Sequence, residues 1–225
     1  MIRYGKPLAI DLFCGLGGWT DGMLAEGYDV IGFDIEAHAY GDMRYPARLV
    51  LQDVLTINGA QFREADLIVA SPPCQFFSYT AMPWTKAKER AKATRSDPAL
   101  LEKELALFKA CFRIQREACE AAGRHVPMVV ENVRGAEPWV GKARWSWGAF
   151  YLWGDVPALM PIRNAGCGVK QGGDWFNSSQ PSISRLYGSK SPQRKAASAM
   201  IAKIPLALSQ HIAAVYSPNR LARSA

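Results

Sequence analysis

Apolar residues in this chain fall into short runs separated by polar, helix-patterned stretches. Pro7 to Phe13 (PLAIDLF) is predicted to be a first strand, and Cys14-Gly15-Leu16-Gly17-Gly18 a glycine turn. Trp19 to Glu26 reads as a helix stopped by Gly27. Asp29 to Phe33 predicts a second strand ending at Asp34, Glu36 to Met43 a short helix, and Arg48 to Leu51 a third strand followed by Asp53. Asp66 to Ala70 is a fourth strand, Pro127 to Val130 a fifth and Phe150 to Trp153 a sixth. Asp97-Pro98 opens the longest helix, which runs to about Ala122, where Gly123 ends it. Gln193 to Val215 reads as a final helix despite Pro205. Strands alternating with helices predict an α/β fold with a parallel sheet and crossover connections.

Two stretches lack this patterning. Tyr79 to Asp97 is polar and basic and is expected to form a long mobile loop. Gly154 to Pro192 is rich in Gly, Pro, Ser and Asn and reads as an irregular insert. The expected organisation is therefore a catalytic and cofactor-binding unit over 1–153, a small insert over 154–192, and a helix over 193–225 that returns to the first unit.

Length and composition narrow the function classes. The chain has 225 residues, 49% of them hydrophobic, enough for one large domain or one domain with an appendage. No apolar run approaches the roughly 20 residues that span a bilayer. The opening residues lack signal-peptide features, so a soluble cytoplasmic protein is expected. Five cysteines without a CxxC pair indicate neither a disulfide framework nor a metal site. Cys14, Cys111 and Cys119 read as core thiols. The net charge of +7 favours a polyanionic partner. Its distribution favours nucleic acid further. Lys86, Lys88, Arg90, Lys92 and Arg95 form one basic group, and Lys142 and Arg144 alternate with Trp139, Trp145 and Trp147. Arg185, Lys190, Arg194 and Lys195 form a third group. Cations among aromatics suit phosphate contact and base stacking.

The candidate chemistry sits at strand ends, where α/β proteins keep their ligands. The glycine turn lets backbone approach a ligand at a helix N-terminus. Asp34, after the second strand, is placed to bind ribose hydroxyls, and Asp53, after the third, to accept from an adenine amino group. Each carboxylate would also serve as an ordinary cap. Ser71-Pro72-Pro73-Cys74-Gln75-Phe76-Phe77-Ser78 follows the fourth strand and sets Cys74 on a proline-stiffened turn. A thiol there is a candidate nucleophile, although a structural cysteine has the same signature. Glu131-Asn132-Val133 ends the fifth strand. If that strand lies parallel beside the fourth, Glu131 shares an edge with Cys74. A thiol facing a carboxylic acid suits nucleophilic addition to a heterocycle.

With these motifs in this order, the chain resembles the DNA cytosine-5 methyltransferases. DLFCGLGG is similar to their cofactor motif, SPPCQFFS to their Pro-Cys motif and VVENV to their Glu-Asn-Val motif. The resemblance covers about residues 7–153. It implies a Rossmann-like, S-adenosylmethionine-dependent methyltransferase fold with a mostly parallel sheet. It also implies a cofactor held by Phe13, Gly15, Leu16, Gly17, Asp34, Ile35, Asp53, Val54 and Pro73. By the same resemblance Cys74 attacks C6 of a flipped-out cytosine, Glu131 binds its N3/N4 edge, and Asn132 orders the Pro-Cys loop. The implied partner is double-stranded DNA, with no membrane and no metal, and a monomer is expected.

Three departures accompany the resemblance. A Gln-x-Arg-x-Arg run is absent where Trp145-Ser146-Trp147-Gly148-Ala149 stands, and Arg144 is the nearest substitute for its cytosine-contacting arginine. Ala202-Lys203-Ile204-Pro205 stands in place of a Gly-Asn-Ser element, and no cofactor contact is expected from it. The insert is too short for an elaborate base-reading surface. A short or relaxed recognition sequence is expected, with Gln171, Asn177, Ser178, Ser179, Gln180 and Arg185 as its contacts. Such economy resembles enzymes carried by phages. An RNA cytosine-5 methyltransferase, a non-catalytic DNA-binding relative and an altered cofactor remain as alternatives.

Overall fold

The computed structural model describes residues 5–78, 84–161 and 191–218. Most of the expected insert, including its six candidate contact residues, lies outside them. Strand β1 is Leu8–Leu12, followed by helix α1 (Gly18–Ala25), β2 (Asp29–Asp34), β3 (Ala39–Tyr40), β4 (Met43–Arg44) and β5 (Arg48–Leu51). Then come β6 (Leu67–Ala70), α2 (Trp84–Ser96), α3 (Pro98–Ala122), β7 (Met128–Asn132) and α4 (Glu137–Val140). The remainder is β8 (Trp145–Trp147), β9 (Phe150–Gly154), α5 (Pro192–Ala202) and α6 (Leu206–Tyr216).

Seven strands form one sheet in the order β5-β2-β1-β6-β7-β9-β8. The five from β5 to β7 are parallel, while β9 runs antiparallel to β7 and β8 antiparallel to β9. The chain steps outward in one direction from β1 through β2 to β5, and in the other through β6 to β7. A switch point therefore lies between β1 and β6, the position where open α/β sheets leave a crevice.

Alternation along the strands divides the interior in two. Ile10, Leu12, Ile68, Ala70, Met128 and Val130 pack with Leu105, Phe108, Cys111 and Ile114 of α3. Ala9, Leu67, Val69, Val129 and Leu152 point the other way, against Trp19 and Met23 of α1 and Leu208 and Ile212 of α6. Both faces of the central strands are covered, which is why LIVA and MVV read as unbroken apolar runs.

Helix α1 lies on the 204–210 segment almost backbone to backbone. A Cβ added at Gly22 would stand 2.3 Å from the Gln210 nitrogen, and one at Gly18 would stand 2.3 Å from the Ile204 nitrogen. Main chain cannot step aside as a side chain can. Gly22→Ala is therefore expected to lower stability by about 1–3 kcal/mol, read as a lower urea midpoint at an unchanged slope.

Three expectations are corrected. The helix predicted over Glu36 to Met43 is a hairpin, β3 paired with β4 around Gly41 at φ +62°. Gly41 supplies the left-handed conformation that the reversal needs. The mobile loop expected over Tyr79 to Asp97 is, from Trp84 onward, helix α2. Its Ala, Lys, Arg and Glu are strong helix formers with almost no apolar stripe, so its signal is propensity and not period. The helix is docked. Ala87 and Thr94 are buried, Arg90 Nη2 donates to Glu104 Oε1 at 2.6 Å, and the guanidinia of Arg90 and Arg95 lie over the rings of Phe76 and Trp139. The single final helix is two, α5 and α6, parted at Lys203–Pro205 because proline removes a helical donor and clashes with the preceding turn. Strand β8 had no prediction. Among the described residues no single helix is long and apolar enough to cross a membrane, and no group of His, Cys, Asp and Glu is arranged to hold a metal ion.

Candidate active site

A cavity of about 370 Å³ opens at the switch point. That size is within the range of small-molecule pockets. Its floor is the turn after β1. Phe13 is at φ +59°, Gly15 at +51° and Gly17 at +74°. Phe13 is the one described non-glycine residue with positive φ. An aromatic side chain there carries strain of about 1–3 kcal/mol, of the kind that collects at functional sites. A Cβ on Gly15 would meet nothing within 4 Å, so the backbone there faces open space.

Asp34 ties β2 to this turn. Its Oδ2 accepts from the Gly15 N–H at 2.9 Å and its Oδ1 from the Ile35 N–H at 2.8 Å. The Glu36 N–H adds a longer bond to Oδ1 at 3.4 Å; the side chain is mostly buried, and a carboxylate with about four acceptor sites has capacity beyond these three bonds. His38 approaches Oδ1 at 3.6 Å. Asp53 caps the turn after β5, accepting from the Leu55 N–H at 2.9 Å, and also lines the cavity. The cap reading of that residue is therefore observed, and its place on the wall leaves its other carboxylate capacity toward the cavity.

Of the nine residues expected to hold a cofactor, Phe13, Gly15, Leu16, Asp34, Ile35, Asp53, Val54 and Pro73 line the cavity. Gly17 does not. It precedes α1 as its N-cap, and a Cβ there would stand 2.5 Å from the Pro46 ring. Sequence reasoning missed Ser71, Gln75 and Leu107. It also missed one wall, formed by Ala199, Ala202, Lys203 and Ile204 from the α5–α6 junction. The helix-breaking Pro205 was the available signal that this stretch leaves the helix and turns back to the sheet.

The Pro-Cys segment is held from three sides. The Ser71 N–H donates to the Leu12 carbonyl at 3.1 Å, and Trp19 Nε1 donates to Ser71 Oγ at 3.0 Å. Asn132 Nδ2 donates to the Pro72 carbonyl at 2.9 Å, while Asn132 Oδ1 accepts from the Val133 N–H at 2.8 Å. Cys74 then opens a turn, its carbonyl accepting from the Phe77 and Ser78 N–H groups. It is half-buried, and both its neighbours, Pro73 and Gln75, line the cavity. Glu131 is 4% exposed. Since Ala70 is paired with Val130, Glu131 lies level with Ser71 across the β6–β7 ladder, on the α1 face by alternation. Cys74 and Glu131 thus occupy the ends of adjacent parallel strands, joined by the Asn132 bond, and neither is among the residues lining the cavity.

Asn132 is almost wholly buried. Asn132→Ala removes both bonds and strands the Pro72 carbonyl. The expected loss is about 1–3 kcal/mol, seen as a lower unfolding temperature. Arg144 stands apart from this group. It is exposed, its N–H donates to the Leu152 carbonyl at 2.8 Å, and its charge is felt by the Tyr216 hydroxyl on α6.

Two of the other described cysteines, Cys14 and Cys111, are poor nucleophiles. Burial, then the charges of Asp11 and Asp34, push the Cys14 thiol far above its ordinary range. Burial pushes Cys111 up to about 12. Cys119 accepts from the Val126 N–H at 3.2 Å.

Residues 8–114 match the family model described as C-5 cytosine-specific DNA methylase, a little under half of the chain. No curated protein matches. Among solved structures the chain is similar to the Dnmt2 methyltransferase of S. pombe, at 15% identity and a TM-score of 0.36 over 61% of this chain and 37% of that one. It is similar to a protein described as a DNA modification methyltransferase encoded within an E. coli prophage, at 22% identity and 0.37 over 60% and 35%. A third is the Entamoeba histolytica methyltransferase EhMeth, at 16% and 0.35 over 61% and 41%. The chain spans 35–41% of the length of these structures.

Proposed function

We propose that this chain, whose residues 8–114 match the family model described as C-5 cytosine-specific DNA methylase, methylates C5 of a flipped-out cytosine in duplex DNA through a covalent bond from Cys74 to C6. One observation carries the reading. The Asn132–Pro72 hydrogen bond joins the Cys74 turn to the strand that carries Glu131, at the margin of a cavity floored by an open glycine turn.

The cavity fits an S-adenosyl ligand. Backbone lies bare at Gly15, and Asp34 and Asp53 offer carboxylate oxygens in the order ribose and adenine require along β2 and β5. Ile35 and Val54 supply apolar surface for the adenine. S-Adenosylmethionine, when bound there, supplies an electrophilic methyl group.

The remaining work falls to the chain's own residues. C5 and C6 of a stacked cytosine are out of reach, so the base must leave the helix. The Cys74 thiolate adds to C6, and the electron pair of the C5–C6 double bond passes to C5 and the ring. Glu131, hydrogen-bonded at the N3/N4 edge, stabilises that electron-rich ring, so C5 becomes the nucleophile. Once C5 is methylated, a base removes the C5 proton, the double bond re-forms and the thiolate is expelled. Asn132 positions the Cys74 turn. Pairing with Glu104 leaves Arg90 as a brace for Phe76, two residues from Cys74, while the exposed Lys86 and Lys92 are available to phosphates. The short 154–192 insert is assigned a short or relaxed recognition sequence.

The test is transfer of a labelled methyl group to unmodified duplex DNA and to folded RNA, with the modified base mapped by bisulfite sequencing. Label at C5 of cytosine in DNA is the expected result. Label in RNA alone would overturn the substrate, and label in neither, with cofactor bound, would overturn the activity.

A further inference from the structure

We propose that Lys203 receives the carboxylate at the amino-acid end of the S-adenosyl ligand, with Asp21 holding the ammonium in place beside it. This rests on the reading of the cavity as an S-adenosyl site.

The order of strands lays the cavity out along a line. Asp53 follows β5, Asp34 follows β2, the glycine turn follows β1, and Ser71 and Pro73 follow β6. Acidic groups gather at the first end, where Asp53, Asp34 and Glu36 all line the wall. They accept hydrogen bonds from hydroxyl and amino groups and repel a carboxylate. A ligand carrying both an adenosine and a carboxylate must therefore lie with its carboxylate toward β1 and β6.

Lys203 stands at that second end. It is the one lysine or arginine among the described residues lining the cavity. The close seating of Ile204 on Gly18 fixes the α5–α6 junction over the start of α1, the helix that follows β1. The Lys203 ammonium is 2.7 Å from Asp21 Oδ2, in the first turn of the same helix. The side chains of the pair are about one-third exposed (31% and 35%), so solvent and ligand can reach it. A pair that exposed contributes little on its own. Its consequence is placement, since Asp21 keeps a long, flexible cation at the cavity wall where an incoming carboxylate can share it. His38, the other basic residue on the wall, is engaged by Asp34 and Glu36 at the opposite end.

Two ligands isolate the contact. S-Adenosylhomocysteine carries the carboxylate, and S-adenosyl-3-thiopropylamine is the same molecule without it. Titration calorimetry on the full chain is expected to show the first binding roughly 10–100-fold more tightly than the second. Lys203→Met should shrink that preference to within about threefold while leaving the affinity for the thiopropylamine unchanged. Lys203→Arg, which keeps the charge, should retain most of the preference. Equal weakening of both ligands by Lys203→Met would mean that the residue only shapes the junction, and an intact preference would mean that another group holds the carboxylate. Either result overturns the assignment. Failure of both ligands to bind the unaltered protein would overturn the cavity reading itself, and is distinct from either.

Discussion

Replacing Cys74 by alanine is expected to reduce methyl transfer roughly a thousandfold or more, with S-adenosylhomocysteine binding held within about twofold. The first half follows from the chemistry. Without addition at C6, C5 of cytosine is too weak a nucleophile, and neither Cys14 nor Cys111 can deputise. Cys14, which does line the cavity, stays protonated because burial and two carboxylates oppose its ionisation. Cys111 lies on the buried face of α3, in the core. The second half follows from the geometry, since Cys74 is not part of the cavity wall. Steady-state methyl transfer and calorimetry on the same preparation separate the two. Activity within tenfold of the parent would rule out the covalent route.

Asp11→Asn should change how stability depends on pH. Asp11 lies in the middle of β1, 1% exposed, facing α1. The Thr20 hydroxyl donates to its Oδ2 at 2.7 Å, and Tyr45 joins the same hydroxyl at 2.7 Å. Among the described residues its Oδ1 has no hydrogen-bond partner. Burial, opposed by the Thr20 bond and reinforced by Asp34, raises the carboxyl from 3.8 to about 8. The folded state thus holds a proton that the unfolded state releases near pH 4. The contribution of this group is fully present below the unfolded value and is lost as pH rises toward 8, at up to about 1.4 kcal/mol per pH unit. Asparagine does not titrate. Between pH 5 and pH 8 the parent should lose on the order of 4 kcal/mol relative to Asp11→Asn. Urea unfolding of both proteins across that range measures the difference, in which most other titrating groups cancel. A flat difference would mean that Asp11 is ionised in the fold.

The sheet was readable in the sequence because its central strands are buried on both faces. LIVA and MVV are apolar runs with sharp ends, LAIDL is one but for Asp11, and the chemistry-bearing residues follow those ends directly. Helix α3 was readable for a related reason, with an Asp97 cap accepting from the Ala99 and Leu100 N–H groups and Gly123 at φ +62°. What escaped lacks such signals. Helix α2 is held by particular pairs, Arg90 with Glu104 and Arg95 on Trp139, which only the folded chain brings together. The hairpin over β3 and β4 hid behind polar residues that fit several local structures. The Lys203 wall is distant in sequence from the glycine turn and reaches it only because Gly18 and Gly22 let the two backbones touch. Local pattern reports a strand's burial, but not which remote loop closes a cavity.

A duplex containing 5-fluorocytosine interrogates the sulfur itself. Fluorine cannot depart from C5 as a proton does, so elimination stops after methylation and the protein stays bonded to C6. Incubation with S-adenosylmethionine should give a protein–DNA adduct that survives denaturation, with the modified peptide containing Cys74. An adduct on any other residue, or none while ligand and duplex are both demonstrably bound, would contradict the proposed chemistry.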